Sequence, residues 1–296
     1  MATDLTFPDR SPAEHHKGLA SQMGEAAVNW IADLGERVID WVTGVGDITL
    51  FSLRTFRWMF TRRPRWETLL SNAYQVGVLS LPVVALTGTF IGMVLAVQSY
   101  AQFRMLHMET RLGAVINMSL VRELGPVLAA TMLAGRVGGA MAAELGTMRV
   151  TEQIDALTSM GANPIHYLVV PRFLACLALI PALTIMADFM GVVGGAYYSV
   201  MLLNVDWHHY WQNSREYVSL FDLFNGLFKS LFFGAAIALI GCHRGFNCDP
   251  GAEGVGRAAT SAFVLSFVII LLLDLLLAIG LEKVYYALWP QGPSMF

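Results

Sequence analysis

The chain has 296 residues, of which 55% are hydrophobic and only 14% are charged. Because an average soluble domain carries roughly 25% charged residues, this chain lacks the side chains that would cover a water-exposed surface. Its net charge of −3 provides no strong field that would recruit a polyanion. The composition therefore excludes a soluble enzyme, a disordered chain and a nucleic-acid-binding module, and it predicts an integral membrane protein.

Residues 1–65 precede the first apolar run and form the first predicted domain. Their apolar residues recur at helical spacing, at Trp30, Leu34, Val38, Trp41, Val45 and Ile48. Charged residues fall between them, and this pattern predicts an amphipathic helix that lies in the membrane interface. A helix packed on a soluble partner is the alternative. The polar start of the chain has no signal-peptide pattern, so we expect the N-terminus in the cytoplasm.

Five apolar runs in the second predicted domain, residues 66–296, are long enough for membrane-spanning helices of about 20 residues. They cover about residues 76–98, 112–143, 171–205, 223–242 and 258–281. The predicted fold class is thus all-α. Of the 19 lysine and arginine residues, thirteen fall on the side of the N-terminus and six on the other. The positive-inside rule then places the N-terminus in the cytoplasm and, after five spans, the C-terminus on the opposite side.

Charged residues interrupt these runs at Arg122, Glu123, Asp188, Lys229 and Asp274. Each costs about 2.5–3.5 kcal/mol at a helix centre on insertion scales, so each should face a cavity, a subunit interface or another charge. Arg122 and Glu123 are adjacent, and we do not expect them to pair as i,i+4 neighbours do. Structural ion pairs, or positions near the membrane boundary, are the alternatives to a role in transport.

Small residues recur at the four-residue spacing that lets membrane helices approach closely. They are Gly135, Gly139, Ala143, Gly191 and Gly195. Packing within one subunit and packing between two copies both fit this pattern.

A short helix is predicted between the second and third spans, from Thr151 to Met160. Thr151 is expected to cap its N-terminus, with Glu152 in the first turn, and Gly161 follows its last helical position. One face of this helix carries apolar residues three apart, which are Ile154, Leu157 and Met160. We expect this face to be exposed unless another protein covers it, and packing against the chain's own cytoplasmic ends is the alternative.

Motifs for catalysis are absent from the sequence. There is no GxxxxGK[ST] nucleotide loop, HExxH or GxSxG, and the three cysteines have no CxxC spacing. We therefore expect no catalytic site, no metal site and no ATP hydrolysis by this chain.

The segment from Ser119 to Ala175, which begins SLVRELGPVLAATMLAGRVGGAMAAELG, resembles the core motif of the MlaE/YrbE-type permeases. GAEGVGRAAT, from Gly251 to Thr260, is similar to a second stretch of that family. The likeness extends over about residues 45–282. The family comprises the membrane subunits of MCE-linked ABC transporters, which move phospholipids or other hydrophobic molecules.

The resemblance implies a permease that moves such a molecule between the bacterial inner membrane and a periplasmic MCE-domain protein. It implies a homodimer with an N-terminal interfacial helix, five spans and a separate ATPase that binds ATP and Mg²⁺. In some systems of the family a small STAS-domain protein binds the ATPase.

Three groups of residues acquire roles from the resemblance. The Thr151–Met160 helix matches the coupling helix that docks on the ATPase, and Asp155-Ala156-Leu157 with Gly161 loosely resembles an EAA-x3-G pattern. Arg122 and Glu123 match a charged pair near the central lipid pocket. We expect Arg122 to bind a lipid phosphate, and Glu123 to meet a donor across the dimer interface or to shape the cavity wall.

Two other functional classes compete with this interpretation. A proton-coupled secondary transporter would use Glu123, Asp188 and Asp274, but it predicts inverted repeats, and five spans do not divide into equal halves. A membrane scaffold without transport activity would not need the intramembrane charges.

Overall fold

The computed structural model describes residues 12–61, 66–108 and 111–288. Throughout these ranges the regular elements are helical and none is a strand, which confirms the all-α fold class. The α-helices are α1 Pro12–Thr61, α2 Trp66–Val76, α3 Leu81–Met105, α4 Leu112–Ser119, α5 Gly125–Leu133, α6 Gly139–Val150, α7 Gln153–Ser159, α8 Val170–Met201, α9 Trp207–Tyr217, α10 Leu220–Phe246 and α11 Ala252–Leu288.

Five helical stretches in the described ranges are long and apolar enough to cross a membrane, as the sequence predicted. They are Trp66–Met105, Leu112–Val150, Ile165–Met201, Leu220–Phe246 and Ala252–Tyr285. The third predicted span is wrong at its end, because it extended to Val205. Its helix stops at Met201, and Asn204 has a φ of 54°, a left-handed conformation that a continuing helix does not allow.

Short turns of other helical geometry join the α-helices inside three of the spans. Val78–Ser80 is a 3₁₀ turn, and Leu120–Leu124, Ala134–Gly138 and Ile165–Val169 are π turns. Two of the π turns come directly before helices that have a proline in their first turn, Pro126 and Pro171. Because proline has no N–H, it cannot donate the i→i−4 hydrogen bond of a regular helix, which favours a change of geometry there.

The chain consists of two units, which are the residues up to Leu50 and the residues from Phe51 onward. In the first unit, the predicted apolar face of α1 leaves large side chains such as Trp30 and Trp41 exposed. An interfacial position for this helix, and the predicted domain boundary after residue 65, stay predictions. In the second unit, the core lies between α2, α5, α6, α8 and α10, where Phe173 and Phe233 are fully buried.

Close packing of α3 against α8 depends on glycine. Gly191 and Gly195, which the sequence marks as packing residues, lie against Gly88 and Gly92 of α3. A Cβ added to Gly92 would be 1.9 Å from the Gly191 carbonyl oxygen, and one added to Gly88 would be 2.5 Å from the Ala187 carbonyl oxygen. The two backbones are therefore in direct contact, as small-xxx-small pairs allow in membrane helices.

The other predicted packing series, Gly135, Gly139 and Ala143, packs less closely against other helices of the chain. Gly135 is exposed, Ala143 is half-buried, and a Cβ on Gly139 would be 3.8 Å from its nearest neighbour, the Ala259 carbonyl oxygen. The close contact in this span involves Gly138 instead, because a Cβ on Gly241 would be 2.9 Å from the Gly138 carbonyl oxygen.

Substituting Gly92 by alanine tests the α3–α8 contact. The added methyl group would meet backbone atoms of Gly191 and Gly195, which cannot rotate away, so the helices must separate. Overpacking of this kind costs about 1–3 kcal/mol, and we expect a lower thermal unfolding midpoint in detergent. Gly280→Ala is the matched control, since its Cβ would meet nothing within 4 Å. Equal midpoints for Gly92→Ala and the unsubstituted chain would contradict the contact.

Candidate functional site

A buried ion cluster joins three of the spans. The Lys229 side chain of α10 is fully buried, and its Nζ contacts Glu123 Oε2 in the π turn Leu120–Leu124. The same Nζ lies 3.0 Å from Asp274 Oδ1 of α11. An ammonium group in a bilayer interior is costly unless it is paired. These two carboxylates supply that pairing from separate helices.

Arg122 completes the charge balance of this cluster. Its Nε lies 3.9 Å from Glu123 Oε1, at the outer limit of an ion pair. With two basic and two acidic side chains, the group is formally neutral. Lys229 is sealed from solvent, but the side chains of Arg122 and Glu123 are 29% and 39% exposed. The cluster therefore has one closed side and one open side.

The structure changes the interpretation of Glu123 that the sequence suggested. We expected Glu123 to meet a donor across a dimer interface or to shape the cavity wall, with a structural ion pair as the alternative. Its donor is instead Lys229 of the same chain. The sequence identified Lys229 and Asp274 as costly charges that could face another charge, but it did not show which of them pair, because spacing along the chain does not reveal contacts between distant helices.

An apolar groove starts beside the same π turn. It has a volume of about 540 Å³, within the range of roughly 300–1,000 Å³ that is typical of ligand pockets. Val121 lies at one side of the groove, α8 forms its floor, and Trp207 and Trp211 of α9 stack with ring centroids 5.9 Å apart. The groove offers space for an aliphatic chain beside Val121, which is next to Arg122 in the sequence.

Asp188 of α8 lines this groove and lies outside the ion cluster. Asp188 is 6% exposed, and its Oδ1 has no hydrogen-bond partner among the described residues. The carboxyl group packs on Gly125, where a Cβ would be 1.7 Å from Asp188 Oδ1. Only glycine at position 125 leaves room for the carboxyl group.

A polar network that the sequence did not predict holds α9 on α4. Asn117 Nδ2 donates to Ser214 Oγ at 2.9 Å, and the Tyr210 hydroxyl donates to Asn117 Oδ1 at 3.4 Å. Burial raises the pKa of Tyr210 to about 12, so its hydroxyl keeps its proton. The network fixes the two tryptophans of α9 beside the groove.

The predicted coupling helix is shorter than expected and begins differently. It covers Gln153–Ser159, with Glu152 at its N-cap in a left-handed conformation (φ 59°). The prediction that Thr151 caps the helix is wrong, because its hydroxyl donates to the Thr147 carbonyl of α6 at 2.8 Å. Thr151 therefore belongs to the end of α6.

The C-terminal end of α7 has the geometry that its glycine requires. Gly161 has a φ of 76°, which favours glycine. Its N–H donates to the Thr158 carbonyl at 2.9 Å, and the Ala162 N–H donates to the Leu157 carbonyl at 3.1 Å. These two bonds form a Schellman motif, so the helix ends at a defined residue.

The apolar face of α7 packs mainly on the chain itself. Ile154 is 4% exposed and belongs to the core, Leu157 is half-buried, and only Met160 is exposed, at 73%. The expectation of an exposed apolar face is wrong for Ile154, whose side chain anchors the helix. The open side of α7 instead presents Ala156 and Met160, one turn apart.

Two ion pairs fix this end of the bundle. Arg149 Nη1 of α6 lies 2.6 Å from Asp155 Oδ1 of α7. Arg172 of α8 is nearly buried, and its Nη2 lies 2.9 Å from Glu144 Oε2 of α6. The first pair joins α6 to α7 and the second joins α6 to α8, so α6 is linked to both of its neighbours.

Comparison with known proteins assigns the chain to a family. The family model "Permease MlaE" matches residues 69–279, which include the ion cluster and α7. The chain belongs to the MlaE permease family.

Individual relatives agree with this membership. A probable ABC transporter permease protein of Rickettsia typhi is 41% identical over 240 residues, covering 81% of this chain and 93% of the relative. The intermembrane phospholipid transport system permease protein MlaE of Haemophilus influenzae is 37% identical over 216 residues, covering 73% and 83%. The chloroplastic protein TRIGALACTOSYLDIACYLGLYCEROL 1 of Arabidopsis thaliana is 39% identical over 214 residues, covering 72% and 61%.

The ion cluster of this MlaE permease predicts an asymmetric response to substitution. Lys229→Met removes the Lys229 partner of Asp274 and leaves Glu123 with only the more distant Arg122, and breaking a buried pair costs about 3–5 kcal/mol. We expect a large loss of thermal stability and of membrane yield. The matched control is the triple variant Glu123→Gln, Lys229→Met, Asp274→Asn, which removes all three charges and should regain most of the stability. A Lys229→Met variant as stable as the unsubstituted chain would contradict the cluster.

Proposed function

We propose that this chain is the permease subunit of an ABC transporter that moves a phospholipid or another hydrophobic molecule. The transfer runs between the bacterial inner membrane and a periplasmic MCE-domain protein, and a separate ATPase drives it. The observation that carries the proposal is the ion cluster inside the bundle of an MlaE-family chain, with Arg122 on its open side. The name of the Haemophilus relative, an intermembrane phospholipid transport system permease protein, supports phospholipid as the substrate class.

Each member of the cluster has a distinct role in this proposal. Arg122 binds the lipid phosphate, because a guanidinium offers two parallel donors to phosphate oxygens. Glu123 and Asp274 neutralise Lys229, and Glu123 keeps a carboxylate near Arg122 that limits how tightly the phosphate is held. The apolar groove beside Val121 accommodates an acyl chain.

The energy source lies outside the chain in this proposal. ATP and Mg²⁺ bind to the ATPase subunit, and α7 docks on that subunit with its open side around Ala156 and Met160. Burial of Ile154 and the Arg149–Asp155 pair support this role, because they let α7 transmit a movement instead of detaching.

The proposed assembly has two permease copies, ATPase subunits, an MCE-domain protein and, in some systems, a STAS-domain protein. The excess of lysine and arginine on the side of the N-terminus supports a cytoplasmic N-terminus and a periplasmic C-terminus. The exposed Gly135 supports close helix contact between the two copies.

Arg122→Ala tests the lipid pathway. Loss of one bidentate, charge-assisted contact lowers affinity about tenfold or more, so copurified phospholipid and ATP-driven transfer should fall while assembly persists. Mass spectrometry of bound lipid and a transfer assay with the reconstituted complex measure these effects. Arg104→Ala, at the exposed end of α3, is the control. Unchanged lipid occupancy and transfer would reduce Arg122 to a boundary charge.

Aspartate substitutions on the two sides of α7 separate docking from folding. Met160→Asp places a charge on the open side, and we expect loss of ATPase co-purification with normal membrane insertion, because an apolar contact gains an unpaired carboxylate. Ile154→Asp buries that charge in the core and should destabilise the permease itself. Gln212→Asp on exposed α9 is the control for both variants. Full ATPase recovery with Met160→Asp would place the docking surface elsewhere.

A further inference from the structure

A second charged recess lies at the α7 end of the bundle, between the end of α10 and the start of α11. Contact between the α10–α11 loop and α6 fixes this location, since a Cβ on Gly146 would be 3.2 Å from Cys248 Sγ. The recess has a volume of about 860 Å³. None of its lining residues belongs to the Lys229 cluster or to the groove beside Val121.

The recess changes from polar to apolar along one face of α11. Glu253, Arg257 and Thr260 line its first part, and Val264 and Val268 line its second. Their spacing of three or four residues puts them on a single helix face. Glu253 and Val268 are separated by about 22 Å at 1.5 Å per residue, which is about half of the roughly 40–45 Å of a bilayer with its headgroups. This order matches a lipid headgroup followed by its acyl chain.

The charged side chains at the polar end of the recess have few hydrogen-bond or ion-pair partners within the described part of the chain. Arg244 Nε is buried without a hydrogen-bond partner among the described residues. Arg257 pairs with Asp249 at 3.3 Å, but both side chains are about two thirds exposed, so this pair is weak and easily replaced. Glu253 forms no ion pair within the described part of the chain. A Cβ on Gly256 would meet nothing within 4 Å, so the backbone beside the recess is open.

We propose that this recess binds a zwitterionic phospholipid that carries a free ammonium group. Arg244 and Arg257 bind the phosphate, Glu253 binds the ammonium, and an acyl chain lies along Val264 and Val268. A purely anionic headgroup would leave the Glu253 carboxylate facing further negative charge. The mixed signs of the lining residues therefore favour phosphatidylethanolamine over phosphatidylglycerol.

Lipid titration of the purified full-length chain, followed by native mass spectrometry, tests the proposal. The titrations use phosphatidylethanolamine and phosphatidylglycerol in an Arg122→Ala background, so that the lipid pathway contributes little. We expect the ethanolamine lipid to bind more tightly. Arg244→Gln should weaken both lipids about tenfold, as for one lost charge-assisted hydrogen bond. Glu253→Gln should weaken only the ethanolamine lipid and abolish the preference.

Matched controls come from the opposite end of the bundle, where Arg104→Gln at the end of α3 and Glu282→Gln near the end of α11 change exposed side chains and should leave both affinities unchanged. Should Arg244→Gln fail to fold, the exposed Arg257→Gln variant provides the phosphate test. Equal affinity for the two lipids, or an unchanged preference in Glu253→Gln, would overturn the proposal. Displacement of the lipid by millimolar inorganic phosphate would also overturn it in favour of a site for free phosphate.

A second copy of the chain is the competing occupant of the recess. Thr260→Cys places a thiol on its exposed face, and a disulfide between copies under mild oxidation would make the recess a subunit interface and overturn the lipid site. Absence of that disulfide, together with the ethanolamine preference, supports the lipid. The experiment measures binding without ATP, so its failure leaves the proposed transport function standing.

Discussion

The Lys229 side chain has no contact with solvent, and inside the apolar bundle two carboxylates from other helices reach it. Glu123 comes from the second span and Asp274 from the fifth, whereas Lys229 belongs to the fourth. None of these helices can rotate or shift far without leaving a buried charge unpaired, which costs several kcal/mol. If these three helices packed through apolar side chains alone, many relative rotations and shifts of the helices would have similar energies. The ion cluster selects one of them.

The second span, Leu112–Val150, deviates from regular α-helical geometry at the positions of some of its charged residues. The π turn Leu120–Leu124 carries Arg122 and Glu123, and the π turn Ala134–Gly138 carries Arg136, which donates to Ser80 of the first span. A π turn accommodates one extra residue and changes the direction of the side chains that follow it. This change places Glu123 toward Lys229 while Arg122 stays partly exposed. The π turns of the second span therefore lie at residues that carry charged side chains.

The features that depend on local composition could be predicted from the sequence. Five apolar runs gave five spans, and Gly161 ended α7, because hydrophobicity and a left-handed glycine act over short distances. Features that depend on contacts between distant residues were missed. Lys229, the partner of Glu123, lies 106 positions away in the sequence. The packing role of Gly88 and Gly92 becomes evident only when α8 lies against α3. The burial of one side of α7 was only the alternative prediction, since an apolar stripe has the same sequence pattern whether its own chain or a partner covers it.

Two contacts attach α7 to the spans. Ile154 is seated in the core, and Asp155 is paired with Arg149 of α6, so α7 is fixed to the end of the second span. The same span contains Glu123, about 40 Å away at 1.5 Å per residue. Between them the helix is interrupted only by the π turn Ala134–Gly138 and by the start of α5. A force applied to α7 therefore acts on a continuous element that ends at the ion cluster.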